Sequence, residues 1–267
     1  MKKTKKYLAL ALAFLLTIAG TVGITVAYLT DTDEATNTFT IGNVEIELVE
    51  QQRVEVEDDN GNKTTELGKF VNDKVLLPIV GSAQGGTDEF GLPTAANWVD
   101  KVVDVKNTGV QDAWVRVLFA FPADMDDAQS AAEMMLHWNH NPEGYNWVSK
   151  DEGLKVTIDG RKYNVYSYTY QDILPVGETT TSHAITGVYI DSRVDATSST
   201  DDGVEYITYS MVNGRKETVT SIPYAKNDGP QILVFAQAIQ SAGFKTAAEA
   251  FTASSFTLNP WNGTVVE

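Results

Sequence analysis

Histidine is the residue type here best suited to metal chemistry, and the chain has only His137, His140 and His183. His137 and His140 stand three positions apart, a spacing at which a helix would present both imidazoles to one metal ion. The His-Glu-x-x-His motif, which supplies the ligands and the general base of zinc peptidases, does not occur. The pair is therefore interpreted as surface polar residues, and no metal ligands are predicted.

The sequence gives little support for a serine nucleophile or for a calcium site. No Gly-x-Ser-x-Gly motif occurs, and His183 falls in a predicted strand without an evident Asp-Ser arrangement. Three acid-rich turns could collect calcium outside a cell, where millimolar affinity suffices; they span residues 31–34, 57–62 and 201–202. None has the spacing of a twelve-residue calcium loop, so solvated turns are favoured and calcium-assisted bundling stays open. No catalytic residue and no required cofactor is predicted.

Aromatic side chains are numerous enough to suggest carbohydrate stacking. Tyr166, Tyr168 and Tyr170 would share one face of a strand, which burial against a core or a partner strand explains equally well. The residues considered for sugar binding are Trp98, Trp114, Trp138, Trp147, Trp261, Tyr163, Tyr166, Tyr168 and Tyr170.

The first residues carry an export signal. Lys2, Lys3, Lys5 and Lys6 precede an uncharged stretch that runs from position 7 to position 30. Cleavage is predicted between Ala27 and Tyr28, so residues 1–27 form a signal peptide. The alternative is a retained membrane anchor, because the 22 residues from 8 to 29 contain no charge.

The exported part is strongly acidic and contains no cysteine. Removal of the four lysines leaves 16 basic against 36 acidic residues, a net charge of −20. Such a chain repels nucleic acid and anionic membranes. A secreted chain without disulfides indicates a Gram-positive-like exporter, and its stability must come from core burial. Residues 28–267 are long enough for one large domain.

Alternation of apolar and polar residues predicts ten or so strands separated by turns. The strongest pattern predicts a central hairpin between 98–106 and 112–121, with Ala113, Val115, Val117, Phe119 and Phe121 on one face. The first strand, with Phe39, Ile41, Val44, Ile46 and Leu48, slips by one at Gly42, which indicates a bulge. Segments 77–96 and 192–202 have loop composition.

Turn residues and caps locate the remaining elements. Asn60-Gly61, Asp159-Gly160 and Asn213-Gly214 each stand between strand-like runs and predict hairpins. Further strands are expected at 183–190 and 231–240. Residues 126–138 and 246–253 predict short helices, the second with Thr246 and Glu249 as a capping box. The whole predicts an all-β sandwich or barrel with short helical insertions.

Three segments of the chain resemble the TasA/camelysin family, the secreted proteins processed by a SipW-type signal peptidase. The first is Ala27-Tyr-Leu-Thr-Asp-Thr-Asp-Glu-Ala-Thr-Asn-Thr-Phe-Thr-Ile-Gly-Asn-Val-Glu-Ile. The others are Val105-Lys-Asn-Thr-Gly-Val-Gln-Asp-Ala-Trp-Val-Arg-Val and Val234-Phe-Ala-Gln-Ala-Ile-Gln-Ser-Ala-Gly-Phe. They cover the first 50 residues, the predicted central hairpin and the last strand, and the first is the most specific.

The resemblance implies a jelly-roll-like β-sandwich and a structural role in a biofilm matrix or on a cell or spore surface. It also implies that the protein is a fibre subunit and that its partners are other matrix or surface proteins. A signal peptidase of the SipW type would process it. Camelysin's protease assignment makes a surface metallopeptidase the alternative function.

Strand exchange is a physical mechanism for such assembly. Once cleavage frees Tyr28, residues 36–49 would form a mobile terminal strand that could pair with its own sheet or with a neighbour's open edge. Backbone hydrogen bonds would supply affinity, and Phe39, Ile41, Val44 and Ile46 would set the register. Pairing only within the strand's own sandwich is the alternative.

Overall fold

The computed structural model describes residues 38–41, 44–57, 61–71, 76–83, 85–126, 135–139, 145–199, 203–225 and 229–266. The predicted signal peptide and its cleavage site at Ala27 and Tyr28 lie outside these residues. In chain order the elements are β1 (Thr38–Ile41), β2 (Ile46–Glu57), β3 (Lys63–Lys69), β4 (Val99–Asn107), β5 (Ala113–Pro122), α1 (Ala123–Asp126), β6 (Leu136–Asn139), β7 (Trp147–Ile158), β8 (Arg161–Tyr170), β9 (Ile185–Ile190), β10 (Asp195–Ser199), β11 (Gly203–Val212), β12 (Arg215–Tyr224), β13 (Leu233–Gln240), α2 (Ala247–Ala253) and β14 (Thr264–Val265).

Two large sheets form a sandwich, and a small third sheet is attached to it. Sheet I has the order β1-β13-β5-β8-β7-β14, sheet II the order β3-β2-β4-β9-β6, and sheet III the order β10-β11-β12. Apolar side chains from β4 and β9 of sheet II and from β5 and β8 of sheet I pack in one common core. The prediction of an all-β sandwich with short helices is confirmed.

The predicted central hairpin is wrong in its pairing, although both of its strands exist. β4 lies in sheet II between β2 and β9, whereas β5 lies in sheet I between β13 and β8. The connection crosses the end of the sandwich, where the side-chain amide of Asn107 donates to the carbonyls of Gln111 and Leu174. Short connections usually join paired neighbours, but here the long-range partners of each strand decide the sheet.

β5 is buried on both faces. Val115, Val117 and Phe119 enter the core between the sheets, as the alternation predicts. On the other face, Leu118 and Ala120 pack with Trp261. The C-terminal segment therefore covers the outer face of sheet I, and β5 is the most enclosed strand of the fold.

The helix α2 completes this cover, and its predicted cap is confirmed. Thr246 is the N-cap residue, and its hydroxyl accepts a hydrogen bond from the backbone N–H of Glu249. The Glu249 carboxylate accepts from the N–H of Lys245, one residue before the cap. Phe251 of this helix packs in a cluster with Trp114 on the outer face of β5.

The three turn-based hairpins are confirmed. β2 pairs with β3, β7 with β8, and β11 with β12, all antiparallel. In two of the turns both central residues have positive φ, with Asp159 at 50° and Gly160 at 82°, and Asn213 at 51° and Gly214 at 75°. These angles match the tight turn whose twist suits a two-residue hairpin loop.

The first strand region is two strands, not one strand with a bulge. β1 pairs with β13 in sheet I, whereas β2 pairs with β3 and β4 in sheet II. Only Gly42 to Glu45 separate them, so the chain changes sheet where the apolar alternation slips by one. Gly42 itself lies outside the described residues.

Two further local predictions are corrected. The predicted helix at 126–138 is wrong at its end, because Leu136, His137 and Trp138 belong to β6, which pairs with β9. Leu136 is fully buried and Trp138 packs against the core, which is strand alternation. Residues 127–134 lie outside the described part.

The polar segment 192–202 contains β10 instead of a loop, since pairing with β11 outweighs its poor strand propensity.

The glycine-rich segment 77–96 is a loop, as predicted, and one arginine ties it to the sandwich. Arg53 on β2 contacts Asp100 with a 2.5 Å distance between Nη2 and Oδ1, and contacts Asp88 of the loop at 2.9 Å between Nη1 and Oδ2. It also donates to the carbonyl of Pro93. Its guanidinium therefore joins β2, β4 and the loop.

Candidate functional site

The predicted assembly residues lie at the point where the chain enters the sandwich. Phe39 and Ile41 belong to β1, which runs parallel to β13 with Thr38 opposite Ala236 and Ile41 opposite Ile239. Val44 and Ile46 follow at the start of the opposite sheet, where they are 3% and 2% exposed and belong to the main core. The four predicted residues are thus divided between the two sheets.

β1 is a short edge strand that covers a long, apolar one. β1 has four residues, whereas β13 has eight and is buried along most of its length. The other side of β13 pairs antiparallel with β5 over the whole strand, from Leu233 opposite Ala120 to Gln240 opposite Ala113. Without β1, one edge of β13 would therefore present unpaired backbone groups at the border of sheet I.

The histidines do not come together in the described residues. His137 lies in β6, where it stacks on Tyr189 at 5.1 Å between ring centroids, and its Nε2 is 3.2 Å from Oδ2 of Asp191. His140 lies outside the described part. Across the ranges that the structure describes, no group of three or more His, Asp, Glu or Cys could hold a metal ion. The helical His137–His140 arrangement considered from the sequence is not formed at His137.

His183 has an acidic partner that the sequence did not reveal. Its Nδ1 is 2.8 Å from Oδ2 of Asp104, whose Oδ1 accepts a hydrogen bond from the hydroxyl of Thr180. The hydroxyl in this cluster therefore contacts the carboxylate and not the imidazole, so the geometry is not that of an activated nucleophile. The available signal was the pair of acids, Asp100 and Asp104, in the valine-rich run of β4, because a buried carboxylate requires a partner.

The tryptophans pack in the interior of the fold and do not form an open surface for a sugar. Trp98, Trp114, Trp147 and Trp261 are each at most 6% exposed. Trp138 is partly buried, stacks on Phe121 at 3.8 Å between ring centroids, and donates its Nε1–H to the hydroxyl of Tyr168. A sugar needs an open aromatic face, so these contacts favour the core interpretation.

The tyrosines of β8 are also occupied within the fold. Tyr168 and Tyr170 are buried in the main core, and Tyr166 packs against it, on the single face predicted. Burial raises the pKa of Tyr168 to about 12. Burial, together with a hydrogen bond to Asp126, raises the pKa of Tyr166 further. Both phenols therefore stay neutral at physiological pH, where the Tyr166 hydroxyl donates to Asp126 and the Tyr168 hydroxyl accepts from Trp138.

The acidic turns considered for calcium are mostly outside the described residues. Positions 31–34, 58–60 and 201–202 all fall there, so the calcium hypothesis stays a prediction. The structure describes only Glu57, Gly61 and Asn62 of the middle turn, at the tip of the β2–β3 hairpin.

The chain matches no known family, no characterised protein and no solved structure at a significant level. Within the described ranges, no helix is both long enough and apolar enough to cross a membrane.

Proposed function

We propose that this protein is an extracellular structural subunit of a biofilm matrix or of a cell or spore surface layer, and that it forms fibres by strand exchange through its N-terminal strand. One observation carries the proposal: a four-residue terminal strand, β1, covers the edge of the long apolar strand β13. The same edge can accept the same segment of another copy, because strand addition depends on backbone hydrogen bonds that any copy provides.

The length of β1 makes exchange energetically reasonable. A four-residue parallel strand makes few inter-strand hydrogen bonds, and each contributes about 1 kcal/mol net. Detaching β1 therefore costs little free energy. The β13 edge that it leaves empty would readily pair with a strand of another chain. A second copy that fills the edge restores the lost bonds, so the exchanged and the closed forms differ little in contacts.

The position of β1 relative to β2 also suits exchange. The two strands lie in opposite sheets, and Val44 and Ile46 anchor the second of them in the core. Because the core holds β2 through residues that β1 does not supply, β1 could pair with a neighbour while β2 keeps its place.

A deletion pair tests the proposal by negative-stain electron microscopy. The processed chain and a control lacking residues 28–34 keep β1 and are expected to form fibres. A chain lacking residues 28–40 loses three of the four β1 residues and is expected to give monomers or amorphous aggregates. Undiminished fibres from the larger deletion would end the proposal, and so would the absence of fibres from the processed chain under all conditions tried.

No contact among the described residues favours the surface metallopeptidase alternative. Its test is simple: casein cleavage that is lost on chelation and on substitution of His137 and His140 would establish it.

A further inference from the structure

A basic and apolar hairpin projects from one end of this acidic protein. The hairpin, here called the ribbon, comprises residues 207–221 of β11 and β12. Its base is anchored in the main core by Tyr206, Ile222 and Tyr224, which are at most 8% exposed. Beyond this anchor β12 is exposed at every position from Arg215 to Ser221, so both faces of the ribbon meet solvent there. The ribbon extends about 20 Å over the six residue steps from Tyr206 to Val212.

The tip of the ribbon combines apolar and positive groups. Met211 and Val212 are 67% and 39% exposed, which is unusual for large apolar side chains that no partner covers. Arg215 and Lys216 follow directly after the turn, and Lys216 pairs with Asp195 at 2.9 Å in an exposed ion pair. With exposed Glu217 next to them, the two basic residues leave the ribbon tip with one net positive charge, on a chain whose formal net charge is −16.

The edge of the ribbon is poorly suited to strand pairing. The β11–β12 register shifts between Thr208 and Tyr209, which leaves Val219 of β12 without an opposite residue. Such a bulge twists an edge strand away from regular pairing, and Pro223 removes one backbone donor from the same strand. A partner of the ribbon would thus bind its side chains, not its backbone.

The opposite end of the sandwich has the complementary character. Two loops, residues 107–112 and 171–178, are held together there by Asn107 and by backbone hydrogen bonds between Ala113 and Leu174. Val110, Ile173 and Val176 are exposed on these loops at 68%, 44% and 46%. The exposed acidic residues around them are Glu45, Asp112, Asp172 and Glu178. Lys106, which is partly buried beside them, is the nearby basic residue on β4.

These two surfaces lie at opposite ends of the same strands. β5 begins at Ala113, beside the two loops, and ends at Pro122, directly before α1. In α1, Asp124 accepts a hydrogen bond from Tyr224 at the base of the ribbon. Ten residues of strand separate the ends, or about 33 Å, so the base of the ribbon lies far from the loops of its own copy.

We propose that the ribbon tip of one copy docks on the acidic loop end of a second copy, with Met211 and Val212 against Val110, Ile173 and Val176, and with Arg215 and Lys216 facing the carboxylates. Because the two surfaces differ and lie at opposite ends, the contact is heterologous and repeats along an open row of subunits. This inference rests on the proposed self-association but not on strand exchange.

Site-directed cross-linking tests the contact directly, because the chain has no cysteine of its own. The naturally processed chain is prepared as Met211→Cys and, separately, as Val176→Cys, and the two are mixed with a bismaleimide. A cross-linked dimer is expected from this mixture. Val265→Cys, 53% exposed on β14, replaces Val176→Cys as the matched control and is expected to give no dimer. Equal yields from both mixtures, or no dimer from either, would overturn the inference.

Charge reversal separates this contact from strand exchange. The variant Arg215→Glu/Lys216→Glu and the variant Asp172→Lys/Glu178→Lys each place like charges across the contact, and each alone is expected to associate about tenfold more weakly in analytical ultracentrifugation. Mixing the two variants restores opposite charges at every junction and is expected to restore association. Lys63→Glu/Lys69→Glu on β3 is the control for net charge.

The outcomes of the two proposals are distinguishable. Fibres that require residues 28–40 but ignore the charge reversals would support strand exchange and refute the ribbon contact. Cross-linking and charge rescue without any fibres would support the ribbon contact and refute fibre formation by strand exchange. Rescue that fails in the mixed sample refutes the ribbon contact whatever the fibres do.

Discussion

At the scale of single residues, Arg53 joins three separate partners through one guanidinium. It contacts two carboxylates and a carbonyl, and the Asp100 side chain that it pairs is 2% exposed. We expect Arg53→Met to lower the free energy of unfolding by about 3 kcal/mol, because it leaves that carboxylate buried without a cation. Urea denaturation measures the change.

The control lies close by on the same hairpin. Lys63 pairs with Glu55 at 2.6 Å, but both side chains are more than 60% exposed. Lys63→Met is expected to cost less than about 1 kcal/mol, as exposed ion pairs do. Equal losses in the two variants would show that Arg53 does not hold the loop.

Asp88 should make the stability of this region depend on pH. Burial by itself would raise its pKa, but the backbone N–H groups of Leu92 and Phe90 and the Arg53 guanidinium bring it below the ordinary value. An acid whose pKa is lower in the folded state adds stability above its unfolded pKa of about 3.9, and that stability is lost as the pH falls through the folded value.

A matched variant isolates this effect. Asp88→Asn keeps a side-chain oxygen for the backbone donors but loses the charge, so we expect it to be about 1 kcal/mol less stable than the parent at pH 7. The difference should vanish as the pH falls below about 4, where the parent carboxyl also becomes neutral. Chemical denaturation at several pH values measures it, and a constant difference would contradict the assignment.

At the scale of elements, the packing of β4 on β9 depends on a glycine. A Cβ on Gly187 would lie 2.5 Å from the Trp98 ring and 2.5 Å from the carbonyl oxygen of Val99. The ring occupies that space and stacks on Tyr189 at 5.5 Å between centroids. We expect Gly187→Ala to cost about 1–3 kcal/mol and to change the near-UV circular dichroism of the tryptophans.

Gly229→Ala is the comparison, because nothing lies within 4 Å of its added Cβ. Its stability should change by less than about 1 kcal/mol. A similar near-UV spectrum for the two variants and the parent would show that Trp98 does not fill the space above Gly187.

Prediction from the sequence succeeded at this scale where the signal is local. Asn213-Gly214 and Asp159-Gly160 define their hairpins, and Thr246 defines its helix start, because turn and cap chemistry depends on neighbouring residues. The predicted pairing of β4 with β5 failed, since both strands are buried on both faces and no local feature distinguishes their partners. β6 and β10 were missed because pairing, not propensity, creates them.

At the scale of the whole molecule, composition and alternation were enough for an all-β sandwich or barrel but did not decide between the two or give the two-sheet layout. The order of sheet I depends on β13, which comes late in the chain and inserts between β1 and β5. The candidate site, too, could be predicted only in part. The residues of β1 were recognised from the sequence, whereas the strand that receives them and the opposite charge of the two ends require the fold.

The placement of β13 also determines when the molecule can be completed. β5 can pair with β8 as soon as both exist, but its other edge stays open until residues 233–240 have been made, and β1 has no partner before then. Such distant pairings slow folding, because a long chain loop must close, at a cost in entropy, before the strands can pair and stabilise the fold. On the proposed export from its N-terminus, the chain would expose an incomplete sheet until translocation is nearly finished, and chaperone protection would matter most during that interval.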